Sequence, residues 1–207
     1  MVSLGSERLN LQELHVFFVA VTGVSALIVA SPALSRLLVF PRTEFFTELW
    51  MLGPNHMAED YPFNISRGND YSVFLGIGNR LGYCAYYLVE VKFRDMTPSA
   101  PDSFNRTSSS LPSLFNITAF VADEEIWEQP ITLSFDYRYN EALLRIELQS
   151  LKLNDVTLNM RGYNLAWDAD RSGFFGNLFF EAWIYKDTTM RFEYHRFVSL
   201  WLNMTTY

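Results

Sequence analysis

Residues 71–94 read YSVFLGIGNRLGYCAYYLVEVKFR, and the fold turns on how their glycines are read. Gly76, Gly78 and Gly82 follow the strand-like run YSVFL in a G-x-G-x-x-x-G pattern. A dinucleotide-binding turn has similar glycines, but there they open a helix whose N-terminus holds the pyrophosphate. Here they lead into YCAYYLVEVKF, which alternates with a period of two and is rich in aromatic and β-branched residues. Such a run suits a strand. Nucleotide binding is set aside, and the stretch is expected to be a hairpin with its turn at residues 79–82. Gly82 would supply a positive φ there, and the Asn79 side chain would cap the turn. Tyr71, Val73 and Leu75 share one face of the first strand. Tyr83, Ala85, Tyr87, Val89 and Val91 share one face of the second. Gly76 and Gly78 leave room for close packing against their strand.

The same alternation continues on both sides. FFTELWML (45–52) ends at the turn pair Gly53-Pro54. LFNITAFVA, PITLSFDYRY, ALLRIELQSLKL, VTLNMRGYNLAW, LFFEAWIYK and HRFVSLWLNM read as further strands, and DEEIWEQP as a turn or a single helical turn. The Ser- and Pro-rich loop from Thr97 to Ser113 is expected to be mobile. About eight strands with no intervening amphipathic helix leave no crossovers for a parallel sheet. The expected fold is mainly β: an immunoglobulin-like antiparallel β-sandwich over residues 45–207.

Ahead of it, residues 14–35 (LHVFFVAVTGVSALIVASPALS) carry no charge and are long enough to span a bilayer as a helix. Pro32 and Arg36 are expected to mark its end. Residues 1–13 form a short tail and 36–44 a juxtamembrane linker. A cleaved signal peptide is the rival, but the apolar run is long for one and its leading segment is only weakly basic. Arg36 and Arg42 follow the helix and Arg8 precedes it, a small bias toward a cytoplasmic β domain. Against this stand four N-x-S/T sequons, at Asn64, Asn105, Asn116 and Asn203. They favour an extracytoplasmic domain on the cell membrane.

The net charge is −7 with no basic run, so nucleic acid is not an expected partner. The lone Cys84 is expected to be a small buried hydrophobe. The three histidines are far apart, and no Cys/His spacing suits zinc. His56, Glu59 and Asp60 gather in GPNHMAEDYP and could serve acid–base chemistry, yet no nucleophile motif accompanies them. They are read as a solvated loop or part of an interaction surface. Asp168, Asp170, Ser172 and Gly173 match half of a calcium loop, but its twelfth position is Phe179. Trp127, Trp167, Trp183 and Trp201 could stack sugars, although core packing is the default for tryptophans in strands. Trp127 and Trp167 are carried forward as candidate surface residues. No catalytic, cofactor or metal residues are assigned.

Glu48-Leu49-Trp50, Leu52-Gly53-Pro54, Ala58-Glu59-Asp60-Tyr61-Pro62 and Gly76-Ile77-Gly78-Asn79, with the terminal RFVSLWLNMT, resemble the archaeal domain-of-unknown-function family 1616. The resemblance implies an archaeal membrane protein with helices ahead of an extracytoplasmic β domain. It supplies no activity and no catalytic residues. The expected role is therefore a non-enzymatic, single-pass surface protein. It would be a structural or accessory subunit of the envelope or of surface-glycoprotein assembly, with an envelope or membrane protein as partner. The alternative is a glycan- or ligand-binding surface module that uses exposed tryptophans.

Overall fold

The described residues form eleven strands, and burial alternates most clearly along those that begin at Ala85 and Ile126. The computed structural model describes residues 11–37 and 44–206. Two compact units result, residues 1–43 and 44–207. The first holds helix α1 (Leu11–Leu37), which continues past Pro32 at the cost of one backbone hydrogen bond. The second holds β1 (Phe46–Leu52), β2 (Asn64–Ile65), β3 (Tyr71–Arg80), β4 (Ala85–Arg94), β5 (Phe115–Val121), β6 (Ile126–Asn140), β7 (Arg145–Leu153), β8 (Val156–Asn159), β9 (Asn164–Ala166), β10 (Phe175–Lys186) and β11 (Arg191–Met204).

One sheet runs β1-β3-β6-β7-β8, with β9 also on β7; the other runs β2-β11-β10-β4-β5. All pairings are antiparallel except β2 with β11. The chain is thus mainly β, and its order is compatible with an immunoglobulin-like sandwich in which β7–β9 extend the edge beyond β6. Val73, Leu75 and Ile77 from β3 and Tyr87, Val89 and Val91 from β4 enter one buried core with Leu133 and Phe135 of β6 and Phe180 of β10. Three hydroxyls tie the sheets across it. The Thr47 and Tyr87 hydroxyls are 2.9 Å apart, and the Tyr137 hydroxyl reaches the carbonyls of Ile65 and Thr205, each at 2.8 Å.

The expected hairpin at residues 71–94 does not form. β3 has both edges taken by β1 and β6, and β4 has both taken by β10 and β5. Residues 81–84 therefore cross from one sheet to the other. Both strands still bury alternate residues, but against each other across the core. The turn chemistry holds: Gly82 has φ +82°, and the Leu81 amide donates to Asn79 Oδ1 at 3.1 Å. Asn79 is fully buried, and its Nδ2 donates to the carbonyls of Tyr83 at 2.7 Å and Val121 at 2.8 Å. One side chain of β3 thereby fastens the crossing to β5. Asn79→Ala would leave both carbonyls without this donor and is expected to cost about 1–3 kcal/mol. Urea denaturation would measure it, and a change under about 0.5 kcal/mol would show that the crossing does not depend on Asn79.

Two further expectations are corrected. Cys84 is exposed, because the crossing interrupts the alternation and β4 begins only at Ala85; Tyr83, just before it, is exposed too. Residues 126–130 extend β6 rather than forming a turn, since Ile126, Trp127, Glu128, Gln129 and Pro130 pair with β3. The loop after β4 makes contacts with the second sheet: Arg94 Nη1 donates to the Pro98 carbonyl at 2.6 Å, and the Ser109 amide donates to Glu181 Oε1 at 2.7 Å.

Candidate functional site

The outward residues of the second sheet form rows set by register. Asn177 on β10 faces Arg94 on β4 and Trp201 on β11. Asn177 is buried, donates to the Leu200 carbonyl at 2.9 Å and accepts from Arg94 Nε at 3.1 Å. The Arg94 guanidinium is thus fixed 5.1 Å from the Trp201 ring. Burial lowers the Arg94 pKa from its usual value, against the opposing charge of Asp95; an arginine stays protonated nonetheless. From the loop before β10, Arg171 brings a second guanidinium 6.0 Å from both Trp201 and Phe175. Phe63, just before β2, lies 6.1 Å from Phe175.

Phe63, Arg171, Phe175 and Trp201 line a cavity of about 650 Å³. A neighbouring hollow of about 450 Å³ shares Phe63 and Trp201 and adds Met51, Tyr61, Pro62 and residues of β11. Trp201 is 38% exposed and Phe63 48%. Among the described residues, no carboxylate makes an ion pair with Arg94 or Arg171. The arrangement offers apolar ring surface beside two cationic forks.

The next rows lie under the loop after β4. Lys92 Nζ contacts Glu181 Oε2 at 2.8 Å and Glu90 Oε2 at 2.9 Å, and donates to the Ser109 carbonyl at 3.2 Å. Burial pulls the Lys92 pKa down, but the hydrogen bonds and charges of Glu181 and Glu90 outweigh it and leave the pKa raised. Trp183 Nε1 is buried there without an acceptor, and Tyr194 packs edge-on against Trp183 with centroids 5.6 Å apart. At the far end, the Tyr86 and Phe120 rings stack at 4.2 Å, with Tyr185 and Phe192 beside Tyr86.

The candidate residues fall in separate places. His56 does not join Glu59 and Asp60; it stacks on Phe74 with centroids 3.6 Å apart, and its Nε2 lies 3.2 Å from Glu128 Oε1. Glu128 also accepts from Trp50 Nε1 at 3.2 Å. Glu59 and Asp60 are exposed. Glu59 contributes its backbone carbonyl, which lies where a Cβ on Gly53 would sit. Trp127 packs partly buried against the core, whereas Trp167 is exposed and meets Phe174 edge-on at 5.1 Å. Asp168 spends one carboxylate oxygen on the amides of Asp170 and Arg171, so the half calcium loop is an Asx turn. Among the described residues, no three His, Cys, Asp or Glu side chains gather as for a metal.

Of the sequons, Asn105 and Asn116 are exposed; Asn105 Nδ2 donates to Asp102 Oδ2 at 2.6 Å, and Asn116 Oδ1 accepts from the Ser113 hydroxyl at 2.6 Å. Asn64 and Asn203 face each other in the parallel pair, with Asn203 Nδ2 donating to Asn64 Oδ1 at 3.0 Å. Trp201, Arg94, Arg171 and Phe63 were not singled out together by sequence reasoning. Alternation along RFVSLWLNM does put Trp201 on the outward phase, but its neighbours follow only from the register.

The family model described as domain of unknown function (DUF1616) matches residues 41–148, more than half of the 207-residue chain. The chain belongs to the DUF1616 family. The motif residues of this DUF1616 chain have packing roles: Trp50 lies over Gly76, Glu48 over Gly78, and Gly53 makes room for Glu59. No curated protein matches the chain. Among solved structures, it is similar to part of a β-glucosidase from Listeria innocua, in complexes with glucose and with gluconolactone. Each is 10% identical, with TM-scores of 0.35 and 0.39. The alignments cover 79% and 81% of this chain but 17% of the enzyme, and a likeness this low carries no argument.

Proposed function

We propose that this DUF1616 protein is a non-enzymatic, single-pass membrane protein that displays its β domain outside the cell, as an accessory or structural subunit of the archaeal envelope or of a surface-glycoprotein assembly. The observation that carries this is helix α1. Its window Leu14–Ser31 has a mean hydropathy of 2.1, and none of it is buried. Val16, Phe17, Val19, Leu27, Ile28 and Val29 are exposed around the whole helix. A helix apolar on all sides needs either a core or a lipid around it, and the compact β unit closes its own core. The sequons support the outward side. Protease shaving of intact cells tests the reading: release of a fragment containing the β domain, with the helix left in the membrane, is expected. Full protection until lysis would overturn the orientation, and a soluble mature chain lacking the helix would overturn the anchor.

The exposed rings of the Trp201 cleft favour a second reading, a glycan- or ligand-binding surface module. The two are compatible, since an accessory subunit can recognise envelope glycans.

A further inference from the structure

We propose that the cleft lined by Trp201, Phe63, Phe175 and Arg171, with Arg94 5.1 Å from the Trp201 ring, binds a sugar that carries a carboxylate. This rests on the second reading, a surface binding module, and names its ligand class. Its cavity of about 650 Å³ lies in the range typical of small-molecule sites, roughly 300–1,000 Å³.

Two features select the ligand. First, Phe63 and the exposed part of Trp201 present flat apolar surface at an open rim. That surface suits the C–H face of a sugar ring better than a bare ion. Second, Arg171 lines the cleft, and the guanidinium groups of Arg171 and Arg94 lie 6.0 Å and 5.1 Å from the Trp201 ring, in a chain whose net charge is −7. The positive charge is local, set beside apolar ring surface in a chain that is acidic overall.

The arginines have different jobs. Arg94 is held by Asn177 and by the Pro98 carbonyl, so it is preorganised. Arg171 is exposed, and among the described residues its guanidinium makes a weak hydrogen bond to the Met96 sulfur at 3.6 Å. Most of its N–H donors therefore remain for a ligand. A guanidinium fork matches a carboxylate with two parallel hydrogen bonds. The sugar ring would lie on Phe63 and Trp201, with its carboxylate toward Arg171 and Arg94.

The test uses the full chain in detergent micelles, titrated with a galacturonic acid oligomer, with the neutral galactose oligomer of the same length, and with inorganic phosphate. Calorimetry and tryptophan fluorescence read the binding. The acidic oligomer is expected to bind at least about tenfold more tightly than the neutral one, with affinity falling as salt rises. Arg171→Gln, on an exposed loop, is expected to remove that preference while leaving the thermal transition unchanged. Trp201→Ala is expected to weaken both oligomers. Equal binding of the two oligomers would overturn the proposal and leave a binding module standing. Phosphate competing as well as the acidic oligomer would overturn it in favour of a bare anion spot. No binding by any probe would overturn both the proposal and the glycan reading, and would leave the anchored accessory reading intact.

Discussion

Lys92→Met is expected to destabilise the β domain by roughly 3–5 kcal/mol. Lys92 is 3% exposed and Glu181 is fully buried. Methionine keeps the length of the side chain and removes only the ammonium. The Glu181 carboxylate would then keep the Ser109 amide as its remaining hydrogen-bond donor, in a site shielded from water. An unpaired buried charge costs far more than the pair contributes. Urea denaturation followed by tryptophan fluorescence would show the loss. The paired change of Lys92→Met with Glu181→Leu should recover much of it, because the one charge left without its partner is then Glu90, whose side chain reaches water. The loop after β4 should also become more open to protease, since both its contacts with the ion pair involve Ser109. A Lys92→Met protein as stable as the parent would mean that water reaches Glu181 and that the loop is held by other contacts.

The glycines of FLGIGNRLG give the second large effect. In a strand interior, Gly→Ala normally stabilises by about 0.5–1 kcal/mol. At Gly76 the sign is expected to reverse, with a cost of about 1–3 kcal/mol. A Cβ there would enter the space of the Trp50 indole, directly across the strand pair. The rigid ring would have to lift away, losing its bond to Glu128. At Gly78 the new Cβ meets chiefly the end of the Glu48 side chain, which can swing aside, so Gly78→Ala should cost less. Adding Trp50→Ala should erase most of the Gly76→Ala penalty, and a double-mutant cycle measures that coupling. Equal effects at Gly76 and Gly78, or no coupling to Trp50, would contradict the packing described here.

The strands were legible because each depends on its own residues. Val73, Leu75 and Ile77, or Tyr87, Val89 and Val91, alternate whatever lies beside them. Pairing was not legible. β3 and β4 look like a hairpin because a short turn joins them, yet each finds better partners far along the chain: Ile77 faces Trp127, and Val91 faces Phe180. Cys84 was misplaced for the same reason, since a crossing breaks the phase that a hairpin would keep. β2 escaped notice because two residues carry no period, and its partner is the last strand. The contacts of the Pro- and Ser-rich loop were not legible, because the buried Lys92–Glu181 pair that meets Ser109 comes from strands alone. The cleft was half visible: Trp201 lies on an outward phase, but Arg94 reaches it only through Asn177 on the strand between them. His56 meets neither Glu59 nor Asp60 because its partner Glu128 lies 72 positions away along the chain.

The most direct test of the anchored outside domain is mass spectrometry of the protein purified from its native membranes, on both the intact chain and its peptides. The expected result is a chain that retains residues 11–37 and carries sugar on at least one of Asn64, Asn105, Asn116 and Asn203. A mature chain that begins after the helix would contradict the anchor. An intact chain bare at all four sequons would remove the main support for the outward side. The charge bias of Arg36 and Arg42 would then favour a cytoplasmic domain.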